Sequence, residues 1–224
     1  MSMNTIFGDE NQEKLASKGI IAVIVIENAD DAIPVAKALV KGGVTAMELT
    51  LRTPAAMEAL KRIIKDVPEM MAGVGTILTP DQVHAVKDAK ADFGVAPGFN
   101  RRVVEEAIKI GLPFAPGIST ASEIEACVEL GCRVLKFFPA ENMGGLTYLE
   151  AVNNPYAFLG LQYIPLGGLN MQNLAAWLEK PYILAVGGSW LAPRSLIAQK
   201  AWDAITDNAF KAMEVFHSVR GHVK

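Results

Sequence analysis

The segment 92–118, DFGVAPGFNRRVVEEAIKIGLPFAPGI, contains one complete strand–helix–strand pattern. Its two ends, 92–97 and 113–118, are short apolar runs that are typical of buried strands. Between them, 103–110 places apolar residues at helical spacing, and Gly111 stands where a glycine commonly ends a helix. Two strands joined by a crossover helix pair in parallel, so this segment predicts a βαβ unit.

The same pattern recurs over most of the chain. Near-continuous apolar runs, as expected for parallel strands covered on both faces, occur at about 20–26, 46–51, 71–76, 92–97, 113–118, 134–139, 162–167 and 183–189. Eight compact βα units in 224 residues predict an α/β fold, a single (β/α)₈ TIM barrel over residues 1–224 in which residues 1–18 form an extra N-terminal helix. The alternation also fits an open doubly wound sheet, which is the alternative.

Charge and hydropathy exclude several function classes. The formal net charge of −3 offers no attraction for a polyanion, so nucleic-acid binding is not expected. No apolar run approaches the ~18–20 residues that span a bilayer, and residues 1–18 lack the basic-then-apolar order of a signal peptide. The two cysteines, Cys127 and Cys132, fit reduced thiols at least as well as a disulfide. We therefore expect a soluble cytoplasmic protein.

Lys136 is the most unusual residue, because it lies inside the apolar run VLKFFP at 134–139. Active sites of TIM barrels lie at the carboxyl ends of the strands, where this lysine falls. Burying a lysine is costly unless a partner compensates its charge. One interpretation is an ion pair with Glu48 that only fills the barrel. The other is a nucleophile, since desolvation and a nearby cation such as Arg52 favour the neutral amine that attacks a carbonyl.

Two further strand ends carry candidate site residues. Strand alternation places Glu48, Thr50 and Arg52 on one face. Glu48 is a candidate proton carrier opposite the lysine, with a structural pairing to Arg52 as its alternative. Arg52 is either an anion-binding residue or a solvated loop residue. Thr76 is a second candidate for anion binding, with a helix N-cap before Pro80 as its alternative.

Glycine pairs follow the last two predicted strands. They are Gly167-Gly168 and Gly187-Gly188, and Ser189 follows the second pair. Many barrels bind phosphate at this position through backbone N–H groups. The alternative is a pair of tight turns that require positive φ. Neither GxGxxG nor GxxxxGK[ST] occurs, which argues against a Rossmann or P-loop nucleotide site.

The histidines do not suggest a metal site. His84, His217 and His222 fall in predicted helices or in the C-terminal tail, and none ends a strand. A metal-dependent barrel usually supplies strand-end histidine and carboxylate ligands. We therefore expect no metal ion.

Six motifs, in order along the chain, resemble those of the 2-keto-3-deoxy-6-phosphogluconate (KDPG) and 4-hydroxy-2-oxoglutarate (KHG) aldolases. They are ELTLRT (48–53), GVGTILTP (73–80), FGVAPGFN (93–100), PFAPGIST (113–120), LKFFPAE (135–141) and GGSWL (187–191). The resemblance extends from the first to the last predicted strand. It implies a class I aldolase, a homotrimer without metal or cofactor, whose lysine forms an imine with pyruvate or a related 2-keto acid.

The resemblance also implies a role for each matching residue. Lys136 would form the imine, and Glu48 would be the general acid–base. The substrate would be contacted by Arg52, Thr76, Pro97 and Phe138, and its phosphate by Gly167, Gly168, Gly188 and Ser189. The implied reaction is cleavage of KDPG to pyruvate and glyceraldehyde 3-phosphate, and of 4-hydroxy-2-oxoglutarate to pyruvate and glyoxylate.

One residue departs from the family pattern. Leu166 stands where the family often has threonine, which leaves the preferred aldehyde and the C4 stereochemistry open. Two other function classes fit the glycine pairs. They are a phosphate-binding barrel isomerase or epimerase, and a non-catalytic barrel that binds sugar phosphates. Neither class explains the cost of burying Lys136.

Overall fold

The computed structural model describes residues 6–221, in which strands and helices alternate. In chain order the elements are α1 (Asp9–Lys18), β1 (Ile20–Ile24), α2 (Ala32–Lys41), β2 (Ala46–Thr50), α3 (Ala56–Asp66), β3 (Met71–Gly75), α4 (Pro80–Asp88), β4 (Phe93–Val95), α5 (Arg101–Ile110), β5 (Phe114–Ala115), β6 (Gly117–Ile118), α6 (Ala121–Glu129), β7 (Val134–Phe137), α7 (Gly145–Asn153), β8 (Gln162–Pro165), α8 (Leu174–Leu178), β9 (Val186–Gly188), α9 (Arg194–Ala198) and α10 (Trp202–Arg220). The predicted α/β class is confirmed.

The strands form two parallel sheets. One has the order β5-β4-β3-β2-β1-β9, and the other has the order β6-β7-β8. Strands that follow one another in sequence are therefore neighbours, and the last strand lies beside the first. A doubly wound sheet instead reverses its strand order at a switch point, so that alternative does not fit.

The fifth predicted strand, 113–118, is split in the structure. Its two parts, β5 and β6, are separated only by Pro116, which has no N–H to donate to a neighbouring strand. The Pro116 carbonyl still accepts a hydrogen bond from the backbone N–H of Lys136 at 2.8 Å. At the opposite ends of the two sheets, Tyr163 of β8 forms a parallel bridge with Ile183, just before β9.

Alternate residues of each strand pack into two different apolar clusters. In β1, Ile20, Ala22 and Ile24 pack in the large cluster that also contains the helices, whereas Ile21 faces a smaller inner cluster. Leu15 of α1 belongs to that inner cluster. The helix α1, which lies within the predicted N-terminal helical region, therefore covers the amino ends of the strands. Residues 1–5 of that region lie outside the described part of the chain.

The two cysteines are both buried and are not joined by a disulfide. A hydrogen bond with Cys132, together with burial, raises the pKa of the Cys127 thiol. Cys127 is therefore a protonated packing residue. Among the helices within residues 6–221, none has the length and apolar character needed to cross a bilayer.

Candidate active site

A cavity of about 350 Å³ lies at the carboxyl ends of the strands and contains every residue that the sequence predicted for the site. Its lining comprises Val23, Glu48, Thr50, Arg52, Thr76, Pro97, Lys136, Phe138, Leu166, Gly167, Gly168, Leu169, Gly188 and Ser189. Val23 and Leu169 are lining residues that the sequence analysis missed. Val23 lies within the apolar run 20–26 and Leu169 follows the run 162–167, so nothing in their type distinguishes them from core residues.

Lys136 and Glu48 form the polar floor of this cavity. Lys136 lies in β7 and Glu48 in β2, and they are 4% and 2% exposed. The Lys136 Nζ donates to Glu48 Oε1 at 3.0 Å and to Oε2 at 3.1 Å. Both carboxylate oxygens accept from the lysine, and within residues 6–221 the structure shows no ion pair between Glu48 and Arg52. The Nζ also lies 5.4 Å from the centroid of the Phe138 ring.

Gly75 creates the space that the Glu48 carboxylate occupies. A Cβ at this position, the last residue of β3, would lie 1.8 Å from Glu48 Oε1 and 2.4 Å from its carboxyl carbon. No side chain larger than hydrogen fits there without moving the carboxylate. The role of Gly75 could not be predicted from the sequence, because a glycine within an apolar run gives no sign of what lies against it.

Arg52 and Thr76 line the open side of the cavity. Arg52 is exposed, so its guanidinium is available to an anionic ligand. Thr76 adopts a left-handed backbone with φ 64°, which is unusual for a branched residue. The N-cap alternative for Thr76 is wrong, because Thr79 caps α4 and forms a capping box with Gln82.

The two glycine pairs meet different structural requirements. Gly167 and Gly168 have φ values of 96° and 84°, so they form the tight turn that was the alternative interpretation, and the turn also lines the cavity. Gly188 lies within β9 and does not have positive φ. A Cβ there would lie 1.8 Å from the Trp190 ring, so close packing requires this glycine.

Leu166 forms an apolar wall between the lysine and the glycine turn. It is 3% exposed, and a Cβ at Gly187 would lie 2.5 Å from its Cδ2. Phe138 also lines this part of the cavity. The middle of the cavity therefore offers a ligand apolar contacts at Leu166, where a threonine would offer a hydroxyl.

Within residues 6–221, no group of three or more histidine, cysteine, aspartate or glutamate residues could hold a metal ion. His84 is exposed on α4, with its Nε2 2.9 Å from Glu106 Oε1. His217 lies in the last turn of α10, and His222 lies outside the described residues. The histidines in the described region therefore lie away from the cavity, as predicted.

Comparisons with known proteins agree with this geometry. The model of the family described as KDPG and KHG aldolase matches residues 11–208. A 2-dehydro-3-deoxy-phosphogluconate aldolase of Treponema pallidum is 39% identical over 95% of this chain and 98% of its own. A KHG/KDPG aldolase of Escherichia coli K12 is 38% identical over 89% of this chain and 93% of its own.

A solved structure extends the comparison to the chemistry. It is a KDPG aldolase from Legionella pneumophila, 36% identical, with a TM-score of 0.85, covering 90% of this chain and 97% of its own. That structure holds pyruvate captured as a covalent carbinolamine intermediate. A carbinolamine forms when an amine adds to a carbonyl, which is the reaction that a neutral lysine performs.

Proposed function

The chain belongs to the KDPG and KHG aldolase family, and we propose that it cleaves KDPG to pyruvate and glyceraldehyde 3-phosphate through an imine on Lys136. Family membership makes the chain a carbon–carbon lyase, which excludes an isomerase and a non-catalytic binding barrel. The contact between Lys136 and Glu48 in the cavity supports the roles assigned to these two residues. It brings together a nucleophile and a proton carrier, both of them buried.

The first half of the reaction forms the imine. One proton moves from Lys136 to Glu48, and the neutral Nζ attacks the C2 ketone of the substrate. The C2 oxygen takes one proton from the attacking nitrogen, relayed by Glu48, and a second from the Glu48 carboxyl, so the carbinolamine loses water and becomes a protonated imine. The distance of 3.0 Å between Nζ and Glu48 Oε1 allows this transfer without movement of either backbone.

The second half breaks the carbon–carbon bond. Glu48 removes the proton of the C4 hydroxyl, the C3–C4 electron pair moves toward the imine, and an aldehyde leaves. The enamine that remains is protonated at C3, and water then hydrolyses the imine to release pyruvate and restore Lys136. The imine nitrogen supplies the electron sink, so the chemistry uses neither metal nor organic cofactor.

The two ends of the cavity suit the two anionic groups of KDPG. The exposed guanidinium of Arg52, together with Thr76, would hold the carboxylate beside C2. Pro97 and Phe138 would contact the carbon chain. The phosphate would lie at the other end, against Gly167, Gly168, Gly188 and Ser189.

A second substrate, 4-hydroxy-2-oxoglutarate, is favoured by Leu166. This substrate is shorter than KDPG and ends at C5 in a carboxylate, so it needs neither a partner for a C5 hydroxyl nor a site for a phosphate. One relative, from Escherichia coli K12, carries both activities in its name. We therefore include cleavage of 4-hydroxy-2-oxoglutarate to pyruvate and glyoxylate in the proposed function.

Three further features belong to the proposal. The two sheets would be parts of one eight-stranded barrel, because only Pro116 separates β5 from β6 and Tyr163 bridges to Ile183. The helix α1 would be an addition to that barrel, and residues 1–224 would form one domain. The homotrimer and the cytoplasmic location stay predictions from the family resemblance and the sequence.

The test is borohydride trapping with pyruvate, read by intact mass and peptide mapping. We expect one adduct, located on Lys136, and none in Lys136→Ala. Lys109→Ala is the matched control, because Lys109 is an exposed lysine on α5, paired with Glu106 outside the cavity. Absence of an adduct on the unsubstituted enzyme, or its persistence in Lys136→Ala, would disprove the mechanism.

The same preparation tests for a metal enolate mechanism. Cleavage of KDPG, measured by the release of pyruvate, should continue at the full rate in excess chelator. A loss of activity that added divalent metal restores would contradict the imine mechanism, whatever the trapping result.

A further inference from the structure

The glycine turn, Gly167-Gly168, and the adjacent Leu166 are hydrogen-bonded to the segment that follows the reactive lysine. The backbone N–H of Ala140 donates to the Leu166 carbonyl at 2.8 Å, and that of Glu141 donates to the Gly167 carbonyl at 3.0 Å. Only four residues lie between Lys136 and Glu141 in the sequence. The position of the turn relative to Lys136 is therefore set through 138–141.

Side chains of 138–141 also fill the space beneath the turn. A Cβ at Gly167 would lie 3.1 Å from Phe138 Cε2, and a Cβ at Gly168 would lie 2.6 Å from Glu141 Cβ. The backbone of the turn thus rests directly on Phe138 and Glu141. The Cβ and Cγ of Glu141 therefore leave no room for a side chain at residue 168.

One hydrogen bond holds the Glu141 carboxylate, and the amino end of a helix lies beside it. The indole Nε1 of Trp177, in α8, donates to Glu141 Oε1 at 2.8 Å, and Trp177 is 1% exposed. On the other side, Glu141 Oε2 lies 3.5 Å from where a Cβ of Gly145, the first residue of α7, would stand. The positive end of the α7 dipole stabilises a negative charge at this point.

Glu141 does not itself line the cavity. Its effect on a ligand must therefore pass through the turn that it supports. We propose that Glu141, through its hydrogen bond with Trp177, is a positioning residue that fixes the glycine turn at the distance from Lys136 that a phosphorylated six-carbon substrate requires. This proposal rests on the proposed function.

The test compares two substrates in Glu141→Ala. KDPG carries the phosphate, and 2-keto-3-deoxygluconate is the same carbon chain without it. We expect the KM for KDPG to rise about tenfold, with kcat within about twofold, since a half-buried hydrogen bond to a charged group is lost. The KM for 2-keto-3-deoxygluconate and the rate of pyruvate trapping should stay unchanged.

Three more variants separate positioning from folding. Glu141→Gln keeps a side-chain oxygen for Trp177 and should restore the KM for KDPG to within about twofold of the unsubstituted enzyme. Trp177→Phe removes the donor and should reproduce Glu141→Ala, and it decides the question if Glu141→Ala does not fold. Glu125→Ala is the matched control, because Glu125 accepts from the Tyr156 hydroxyl at 2.8 Å outside the cavity.

An unchanged KM for KDPG in Glu141→Ala or in Trp177→Phe would overturn the proposal. An equal rise of KM for both substrates would also overturn it, because a general loss of structure does not distinguish the phosphate. Impairment of Glu141→Gln equal to that of the alanine variant would exclude the hydrogen bond. Failure of pyruvate trapping in the unsubstituted enzyme would instead reject the proposed function.

Discussion

Lys136 donates to both carboxylate oxygens of Glu48, at 3.0 and 3.1 Å, although 88 residues separate them in sequence. The two groups form an oppositely charged pair among strand residues that are mostly apolar. Removing one partner of a buried pair leaves the other charge uncompensated. Structure and chemistry are therefore linked at this contact, and a substitution that keeps the shape of the side chain separates the two most directly.

Glu48→Gln keeps that shape and removes the proton-carrying group. We expect kcat for KDPG cleavage to fall by about 10²–10⁴-fold, the usual contribution of a general acid–base. The KM should change little, because Glu48 acts on the reacting atoms. Steady-state kinetics measure both constants, with Glu125→Gln as the control in an exposed position. A kcat close to that of the unsubstituted enzyme would assign the proton transfers to another group.

Gly75→Ala should inactivate the enzyme by displacing Glu48, since its Cβ would lie 1.8 Å from Oε1. Gly73→Ala is the matched control in the same strand, where the Cβ would lie 2.1 Å from the Phe93 ring instead. Both variants should unfold at lower temperature. Only Gly75→Ala should lose kcat when activity is normalised to folded protein and to Lys136 trapped by pyruvate. Equal kcat in the two variants would contradict this account of Gly75.

Gly75 also marks the limit of prediction from sequence. The apolar runs and strand alternation placed Lys136 and Glu48 at the same end of the strands, because parallel strands share a direction. What lies against a given glycine depends on strand register, here Thr50 opposite Gly75, which hydrophobic pattern does not specify. The space around Glu48 could therefore be found only in three dimensions.

The boundaries of the strands and helices are the second feature that could not be predicted from the sequence. The run 113–118 is apolar throughout, yet Pro116 divides it, since a residue without an N–H interrupts a strand ladder. Two threonines precede Pro80, and local backbone geometry selects Thr79 as the cap. Thr76 is thereby left free to line the cavity.

Asp92 should make stability depend on pH. Burial raises the pKa of its carboxyl, against the opposing effects of the Ala72 N–H, Lys14 and Lys18, which lower it. The folded protein then binds a proton more tightly than the unfolded chain, so stability falls as pH rises from the usual value of 3.8 through the raised one. Asp92→Asn should remove this pH-dependent contribution to stability.

Urea unfolding of both proteins across that pH range measures the difference. The free energy of unfolding of the unsubstituted protein, relative to Asp92→Asn, should decrease as pH rises through the window. Asp88→Asn, at the end of α4, provides a control elsewhere on the surface. A relative stability that increases with pH would mean that the two lysines outweigh the burial of Asp92.

Leu166 should control the choice between long and short substrates. Leu166→Thr places a hydroxyl in the apolar wall between Lys136 and the glycine turn, where a sugar hydroxyl can use it. A new hydrogen bond contributes about 1 kcal/mol, so kcat/KM for KDPG relative to 4-hydroxy-2-oxoglutarate should rise roughly fivefold. Leu166→Val has the same shape as threonine without the hydroxyl and isolates the effect of lost volume. If both variants change the ratio equally, cavity size sets the preference and the hydroxyl does not.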